Sequence, residues 1–418
     1  MNPLLPDNCF LPDAEAHVMS DGRLYIYGSW DVSGSSEYCS REIHCFSTDD
    51  MIIWKDHGAV FRNDESFYGM PWAKDSLLYA PDAIEKDGKF YLYICGSRRE
   101  EGVAVSDSPT GPFSAAERIE LADGKGIDPA IFVDNDGQAY YLWGQFSLKG
   151  ARLEEDMKTI IPESLKEGIV TEWEHGFHEG ASLRRRGDKY YLVYTDISRG
   201  KATCLSYAVS DSPLGPYKKG GVIIDNVYCD PSTWNNHGSI NSLGDKWYVF
   251  YHRSSQNGRT NRRVCAEPIE FDENGMIKEV VQTSSGVQGA LDARRAIPAR
   301  VACRLMGRCH INVCDGHEVL VSENGRHWGQ RDWAEYKYID FGEDGLNELC
   351  ITAKGKGKVT FVIENGTELC SIEFDCDTSQ KFASRIPELS GKHSLWIFLD
   401  GDFNIYSFTF VKKANKVL

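Results

Sequence analysis

The chain has 418 residues, more than one hydrophobic core usually accommodates, so we expect one large domain followed by a smaller one. Its formal net charge is −16 and no segment is rich in lysine and arginine, which excludes nucleic acid as a partner because phosphate binding needs a basic face. No run of about 18 apolar residues occurs, so a membrane partner is not expected either.

The amino terminus and the cysteines both bear on the cellular compartment. Residues 1–7 lack a charged segment followed by an apolar one, and the 13 cysteines form no CxxC pair. These features predict a cytoplasmic protein with reduced, mostly buried thiols rather than a disulfide framework or a zinc site.

A short turn followed by an aromatic-rich strand recurs five times before residue 280. The turns are Asp-Gly or Gly-Asp, which suit hairpins because glycine tolerates positive φ. The five copies are residues 21–27, 87–93, 136–142, 187–193 and 244–250. A second repeat, residues 105–113 and 209–217, places Pro and Gly at fixed offsets two blade lengths apart. We therefore predict an all-β fold in which residues 1–290 form a five-bladed β-propeller.

Residues 291–418 have a different strand rhythm. Their alternating segments are spaced as in a β-sandwich; they are residues 336–341, 349–353, 358–363, 393–399 and 405–410. We predict a C-terminal β-sandwich.

A polar residue stands six to nine positions before each hairpin glycine: Asp13, Asp82, Asp128, Glu179 and His237. The innermost strands of a propeller surround one channel, so these side chains should converge. Clustered carboxyls resist joint ionisation, and a protonated acid beside an ionised carboxylate is what glycoside hydrolysis needs. The alternative is that each aspartate only binds turn amides, and for Asp82 both readings stay open.

At these residues the chain resembles glycoside hydrolase family 43, the arabinofuranosidases, xylosidases and arabinanases. The matching segments are residues 2–3 with 12–18, residues 79–82, residues 126–137 and residues 178–182. The resemblance implies that Asp13 is the general base, that Glu179 is the general acid, and that Asp128 adjusts the pKa and orientation of Glu179. It also implies an inverting mechanism, with the two reacting carboxyls roughly 6.5–9.5 Å apart.

Glu15 competes with Asp13 for the role of base. The two lie two residues apart, so alternating strand geometry puts them on the same face. We prefer Asp13 because it aligns with the family's aspartate without a gap.

The fifth blade resembles the family as well. Residues 236–240 are similar to its His-Gly segment, in which the histidine often belongs to the water shell of a calcium ion, so His237 is the candidate for a metal contact. Arg262 resembles the arginine that touches the sugar, and Trp72 could stack on a sugar ring. The alternatives are a satisfied core histidine, a solvated surface charge and a packing anchor, respectively.

The resemblance implies a hydrolase that releases α-L-arabinofuranosyl or β-D-xylosyl residues from plant-type oligosaccharides or hemicellulose. No cofactor is required, although a structural calcium ion in the channel is compatible with the family. Two alternatives stay open: a galactan- or galactoside-acting hydrolase of the same fold, and a non-catalytic sugar-binding propeller. Residues 338–342 and 394–401 give the C-terminal sandwich a weaker resemblance to carbohydrate-binding modules of family 6.

Overall fold

The computed structural model describes residues 1–67, 69–121, 124–229, 235–323 and 331–414. Five antiparallel sheets come first, and each begins with the hairpin that the sequence predicted. Blade 1 contains β1 (Glu15–Val18), β2 (Leu24–Ser29), β3 (Glu42–Thr48) and β4 (Lys55–Arg62). Blade 2 contains β5 (Asp82–Lys86), β6 (Lys89–Cys95), β7 (Glu101–Ser106) and β8 (Ser114–Arg118). Blade 3 contains β9 (Ala130–Val133), β10 (Ala139–Trp143) and β11 (Lys149–Arg152).

Blade 4 contains β12 (Phe177–Arg186), β13 (Lys189–Asp196), β14 (Cys204–Ser210) and β15 (Lys218–Asp225). Blade 5 contains β16 (Ser239–Leu243), β17 (Lys246–Ser255) and β18 (Gly258–Ile269). A single-turn helix, α1 (Glu172–His175), precedes blade 4. Short 3-10 turns are Glu65–Phe67, Pro162–Ser164, Gly286–Gln288 and Ala299–Val301. Within the described ranges no helix is both long and apolar enough to cross a membrane.

The first strands of the five blades form a closed ring. Each of β1, β5, β9, β12 and β16 contacts the first strands of the blades on either side, and β16 returns to β1. A parallel bridge between Ala14 and Gly238 joins the last blade to the first. The prediction of a five-bladed, all-β propeller is therefore confirmed.

Each hydrophobic core of the propeller lies between two neighbouring blades rather than inside one blade. Strand β13 shows how this is encoded. Tyr190, Leu192 and Tyr194 enter the core shared with blade 3, whereas Tyr191 and Val193 enter the core shared with blade 5. Both faces of the strand are buried, which explains why the repeats are nearly continuous apolar runs.

A further β-sheet region follows at the C-terminus, with its own core. Within the described residues of this region, nine strands form one hydrogen-bonded network. They are β19 (Leu291–Asp292), β20 (Ile297–Pro298), β21 (Arg304–Met306), β22 (His310–Cys314), β23 (His317–Ser322), β24 (Asp332–Asp340), β25 (Leu346–Ile363), β26 (Glu368–Leu389) and β27 (Lys392–Val411).

Four of the segments predicted here are parts of two long strands. Segments 349–353 and 358–363 belong to β25, and segments 393–399 and 405–410 belong to β27. Glycines lie between the predicted segments of both strands, and Gly357 pairs with Gly401 in the ladder between them. A Cβ atom on Gly401 would lie 2.5 Å from the Lys356 carbonyl oxygen, so glycine permits this close approach instead of ending the strand.

The amino terminus helps to close the ring. Asn2 is fully buried, its side-chain amide donates to the Ala266 carbonyl, to Glu267 and to the Thr283 carbonyl, and its Oδ1 accepts from Ala266 N–H.

Replacing Asn2 by alanine should lower the free energy of unfolding by about 2–3 kcal/mol, because buried polar groups on β18 would lose their partner. Urea titration would measure the change. The exposed Asn274 supplies the control, and Asn274→Ala should change stability by less than about 0.5 kcal/mol. Equal losses in the two variants would contradict a closing role for Asn2.

Candidate active site

The polar residues found before the hairpins lie at or just before the first strands of the blades. Asp13 precedes β1, Asp128 precedes β9, and His237 precedes β16, whereas Asp82 begins β5 and Glu179 lies in β12. Asp13 and Asp128 have φ values of 56° and 51°. Aspartate adopts this left-handed region more readily than most residues, and such backbone is common at functional sites.

Asp13 is buried and fully engaged. Its Oδ2 accepts from Ser29 Oγ at 2.6 Å, and its Oδ1 accepts from Arg262 Nη1 at 3.0 Å. Burial raises the pKa of Asp13, whereas the Arg262 guanidinium and the nearby His237 lower it. The lowering effects are larger, so the pKa of Asp13 is lowered overall. Asp13 is therefore the ionised carboxylate of the site.

Arg262 is not a solvated surface charge. It is buried, and its Nε and Nη2 donate to the two carboxylate oxygens of Asp31 at 2.9 Å each, a bidentate arrangement that aims Nη1 at Asp13. Its guanidinium also lies 4.8 Å from the centre of the Tyr38 ring.

Two histidines pack around Asp13. Burial lowers the pKa of His252 to about 3, and its Nδ1 accepts from the Asp13 backbone N–H at 3.3 Å. His237 Nδ1 lies 3.8 Å from Asp13 Oδ1, and the His237 ring packs against Gly180 so closely that a Cβ there would be 3.0 Å from it. Burial lowers the pKa of His237 as well.

Asp128 and Glu179 form the other half of the site. Burial, followed by the charges of Glu179 and Asp13, raises the pKa of Asp128 well above its usual value, although the Gly180 N–H donates to it. Glu179 is only half-buried, and its Oε2 accepts from Gln145 Nε2 at 2.8 Å. The Gln145 oxygen accepts from Arg99 at 2.8 Å, which orients the amide so that its nitrogen faces Glu179.

Glu15 faces a second cluster. Its Oε2 accepts from Ser182 Oγ at 3.0 Å and from Arg184 Nη2 at 2.8 Å. Burial and the neighbouring Asp82 raise the pKa of Glu15 to about 8. A general base must be ionised, so this environment favours Asp13 over Glu15 for that role.

Asp82 is fully buried and Trp72 is half-buried. Asp82 has no exposed surface, and it accepts from the backbone N–H groups of Ala83 and Ile131 at 2.7 and 2.8 Å. This placement supports the alternative in which Asp82 binds amides. The half-buried Trp72 ring packs against Gly102 within the core between blades 1 and 2, as a packing anchor would.

The sequence interpretation missed Asp31, Gln145, Arg184 and His252. None stands six to nine positions before one of the five hairpin glycines, and their roles arise because loops and strands distant in sequence meet at the channel. The adjacent arginines Arg262 and Arg263, directly before the apolar residues 264–266, were the available signal, because charges in a buried strand require partners.

A calcium ion in the channel does not fit the donors present. Among the described residues one group could ligate a metal: Glu15, His17 and Asp82, whose ligand atoms lie within 4.8 Å of one another. His17 Nε2 is 2.6 Å from Asp82 Oδ1 and must donate to it, so that nitrogen has no lone pair for a metal. The guanidinium of Arg184 already contacts this group, and His237 lies outside it.

The chain belongs to a known class of glycoside hydrolases. Residues 2–277 match the family described as glycosyl hydrolases family 43, so the chain is a member of that family. It is 29% identical to a xylosidase/arabinosidase of Thermoclostridium stercorarium over 98% of both chains.

Solved structures agree with this assignment. One is the GH43 beta-xylosidase/alpha-arabinofuranosidase CoXyl43 from a compost microbial metagenome, in complex with xylotriose and in a calcium-free form. It is 29% identical to this chain, with a TM-score of 0.57, and the match covers 67% of this chain and 97% of that one. An arabinoxylan arabinofuranohydrolase from Bacillus subtilis covers 99% of this chain and 97% of its own at 22% identity, with a TM-score of 0.58, and supports the fold of the whole chain. The family match ends at residue 277, so carbohydrate binding by the C-terminal region stays a prediction.

The raised pKa of Glu15 has a consequence for stability. A carboxyl with a pKa of about 8 when folded and 4.5 when unfolded binds its proton more tightly in the folded state, so its contribution is present below pH 4.5 and is lost as the pH rises through 8. Glu15→Gln should therefore lose less unfolding free energy between pH 5 and pH 8 than the wild type, by roughly 1.4 kcal/mol for each pH unit in that window.

Urea titrations at intervals across this range would measure the slope. Glu318→Gln is the comparison variant, because Glu318 is also a buried glutamate paired with an arginine, at 2.6 Å. Parallel curves for wild type and Glu15→Gln would contradict a protonated Glu15.

Proposed function

We propose that this family 43 enzyme releases xylosyl or arabinofuranosyl residues from plant-type oligosaccharides or hemicellulose, with inversion at the anomeric carbon. The named relatives support a pentose substrate, since they act as xylosidases and arabinosidases. They favour this function over a galactan-acting enzyme, and intact, electrostatically coupled carboxyls argue against a non-catalytic binding propeller.

One asymmetry carries the proposal: Asp13, whose pKa is lowered beside Arg262, shares a site with Asp128, whose pKa is raised by burial and by its neighbours' charges. The charges of both Asp13 and Glu179 contribute to the raised pKa of Asp128, so the three carboxyls lie within electrostatic range. Inverting hydrolysis needs this asymmetry, with a base for water on one side of the sugar and an acid for the leaving oxygen on the other.

In the proposed reaction Asp13 removes a proton from a water molecule, whose oxygen attacks the anomeric carbon. Glu179 gives its proton to the glycosidic oxygen as that bond breaks. Arg262 and Ser29 hold Asp13 ionised and oriented. The half-buried Glu179 is the member of the acidic pair that a substrate can reach, so the single proton held by the pair passes to the leaving oxygen through Glu179. These steps require carboxyl groups and water, so we propose no cofactor.

Glu179→Gln should lower kcat on xylobiose or an arabinofuranosyl oligosaccharide about 10³-fold, because the leaving alkoxide needs a proton. On dinitrophenyl glycosides, whose leaving group needs no proton, the loss should be below about tenfold. Steady-state kinetics on both substrate types measures this split, and equal losses on both would defeat the assignment of Glu179 as the acid.

Asp13→Asn should reduce kcat on both substrate types about equally, by about 10³-fold or more, because water attack is needed in each case. Glu15→Gln is the comparison: an amide reproduces the hydrogen-bonding of a protonated Glu15, so activity should stay within about tenfold of the wild type. Reversed outcomes would make Glu15 the base.

The proposed stereochemistry has a direct test. Proton NMR of the first product formed from a β-xyloside should show the α anomer before mutarotation. An initial β anomer would overturn inversion, and no hydrolysis of nitrophenyl xylosides or arabinofuranosides would overturn the pentose assignment.

A further inference from the structure

Arg184 joins two blades that are not neighbours in the ring. It lies in β12 of blade 4, five residues after Glu179, and it is buried. Its Nη2 donates to Glu15 Oε2 and to the Ala16 carbonyl, both at 2.8 Å, and lies 3.2 Å from His17 Nε2. One guanidinium nitrogen therefore contacts three consecutive residues of β1.

Ser182 supplies a parallel link between the same strands. Its hydroxyl donates to the Glu15 oxygen that Arg184 also contacts. Nη1 of Arg184 donates back to the Leu183 carbonyl of β12 at 2.8 Å, which fixes the guanidinium relative to its own strand. Glu15, Ser182 and Arg184 thus form a cross-channel clamp between β1 and β12.

The clamp connects the backbones that carry the two reacting carboxyls. Asp13 lies two residues before Glu15, and Glu179 lies three residues before Ser182. Around the ring, blades 1 and 4 are separated by blade 5 on one side and by two blades on the other. If only neighbouring blades were in contact, the distance between blades 1 and 4 would depend on at least two interfaces. The clamp sets that spacing directly.

We propose that Arg184 is a positioning residue: its guanidinium serves as the built-in cation of the propeller channel, ties the strand of Asp13 to the strand of Glu179, and makes the fold independent of calcium. This inference rests on the proposed function for its catalytic part. Its cation part stands on the donor geometry, because a divalent ion near Glu15 would meet a fixed positive charge and an already protonated His17 nitrogen.

Arg184→Met tests the catalytic part, since methionine fills much of the space without charge. We expect kcat to fall about 100-fold with KM changed less than about threefold, because small displacements of reacting groups cost rate rather than binding. Arg184→Lys should recover part of the loss. Arg186→Met is the matched control at the exposed end of the same strand and should keep wild-type kcat.

Calcium dependence tests the cation part with a readout other than turnover. Wild-type melting temperature should be unchanged by millimolar calcium or by EDTA, whereas Arg184→Ala, which opens the donor group, should melt higher in calcium. Calcium stabilisation of the wild type, or none of Arg184→Ala, would overturn the built-in cation.

The outcomes separate the two proposals. If Arg184→Met is folded by circular dichroism and keeps wild-type kcat, the positioning role is wrong while the glycosidase assignment stands. If Arg184→Met fails to fold, the folded Arg184→Lys variant decides: a lower kcat with KM unchanged supports the positioning role, and a wild-type kcat or a loss confined to KM contradicts it. If the wild type hydrolyses no pentoside, the proposed function fails, and the melting experiment still decides the cation part.

Discussion

Concentration of negative charge on the propeller axis is the constraint that shapes this site. Asp13, Glu15, Asp82, Asp128 and Glu179 all come from the inner ends of blades 1 to 4, and most of their surface is removed from water. The buried guanidiniums of Arg184 and Arg262 compensate part of that charge. Arg262 lowers the pKa of Asp13, whereas Glu15 and Asp128 keep raised pKa values because burial and neighbouring carboxyls dominate there. The proposed chemistry follows from this uneven compensation: the pKa of Asp13 is lowered, and the pKa of Asp128 is raised.

The ring of inner strands holds these carboxyl groups in fixed positions relative to one another. Every propeller core is shared by two blades, so a blade cannot shift without disturbing both neighbours. The proposed catalytic groups lie near the starts of these strands, where Asp13, Asp128 and Gly180 have left-handed backbone conformations. Strain of this kind persists where the surrounding structure determines the backbone.

The C-terminal sheet contacts the propeller through blade 5. Arg262 and Arg263 are adjacent in β18, and their side chains diverge: Arg262 reaches Asp13, and Arg263 donates to Glu318 of β23 at 2.6 Å with both groups buried. Arg253 of β17 also donates to the Ala302 carbonyl at 3.1 Å. The strand that orients the ionised carboxylate is thus anchored on its other face by the C-terminal region.

Local pattern in the sequence was enough to determine the five hairpins, the all-β class and the positions of Asp13, Asp128 and Glu179, because turn chemistry and strand periodicity act over a few residues. It also favoured the family to which the chain belongs. It could not determine which carboxyl is ionised, that Asp82 is enclosed by amides, or that Arg184 spans the channel to Glu15. Those properties depend on charges and donors brought together from residues between 49 and 249 positions apart, and only the closed ring decides which of them meet.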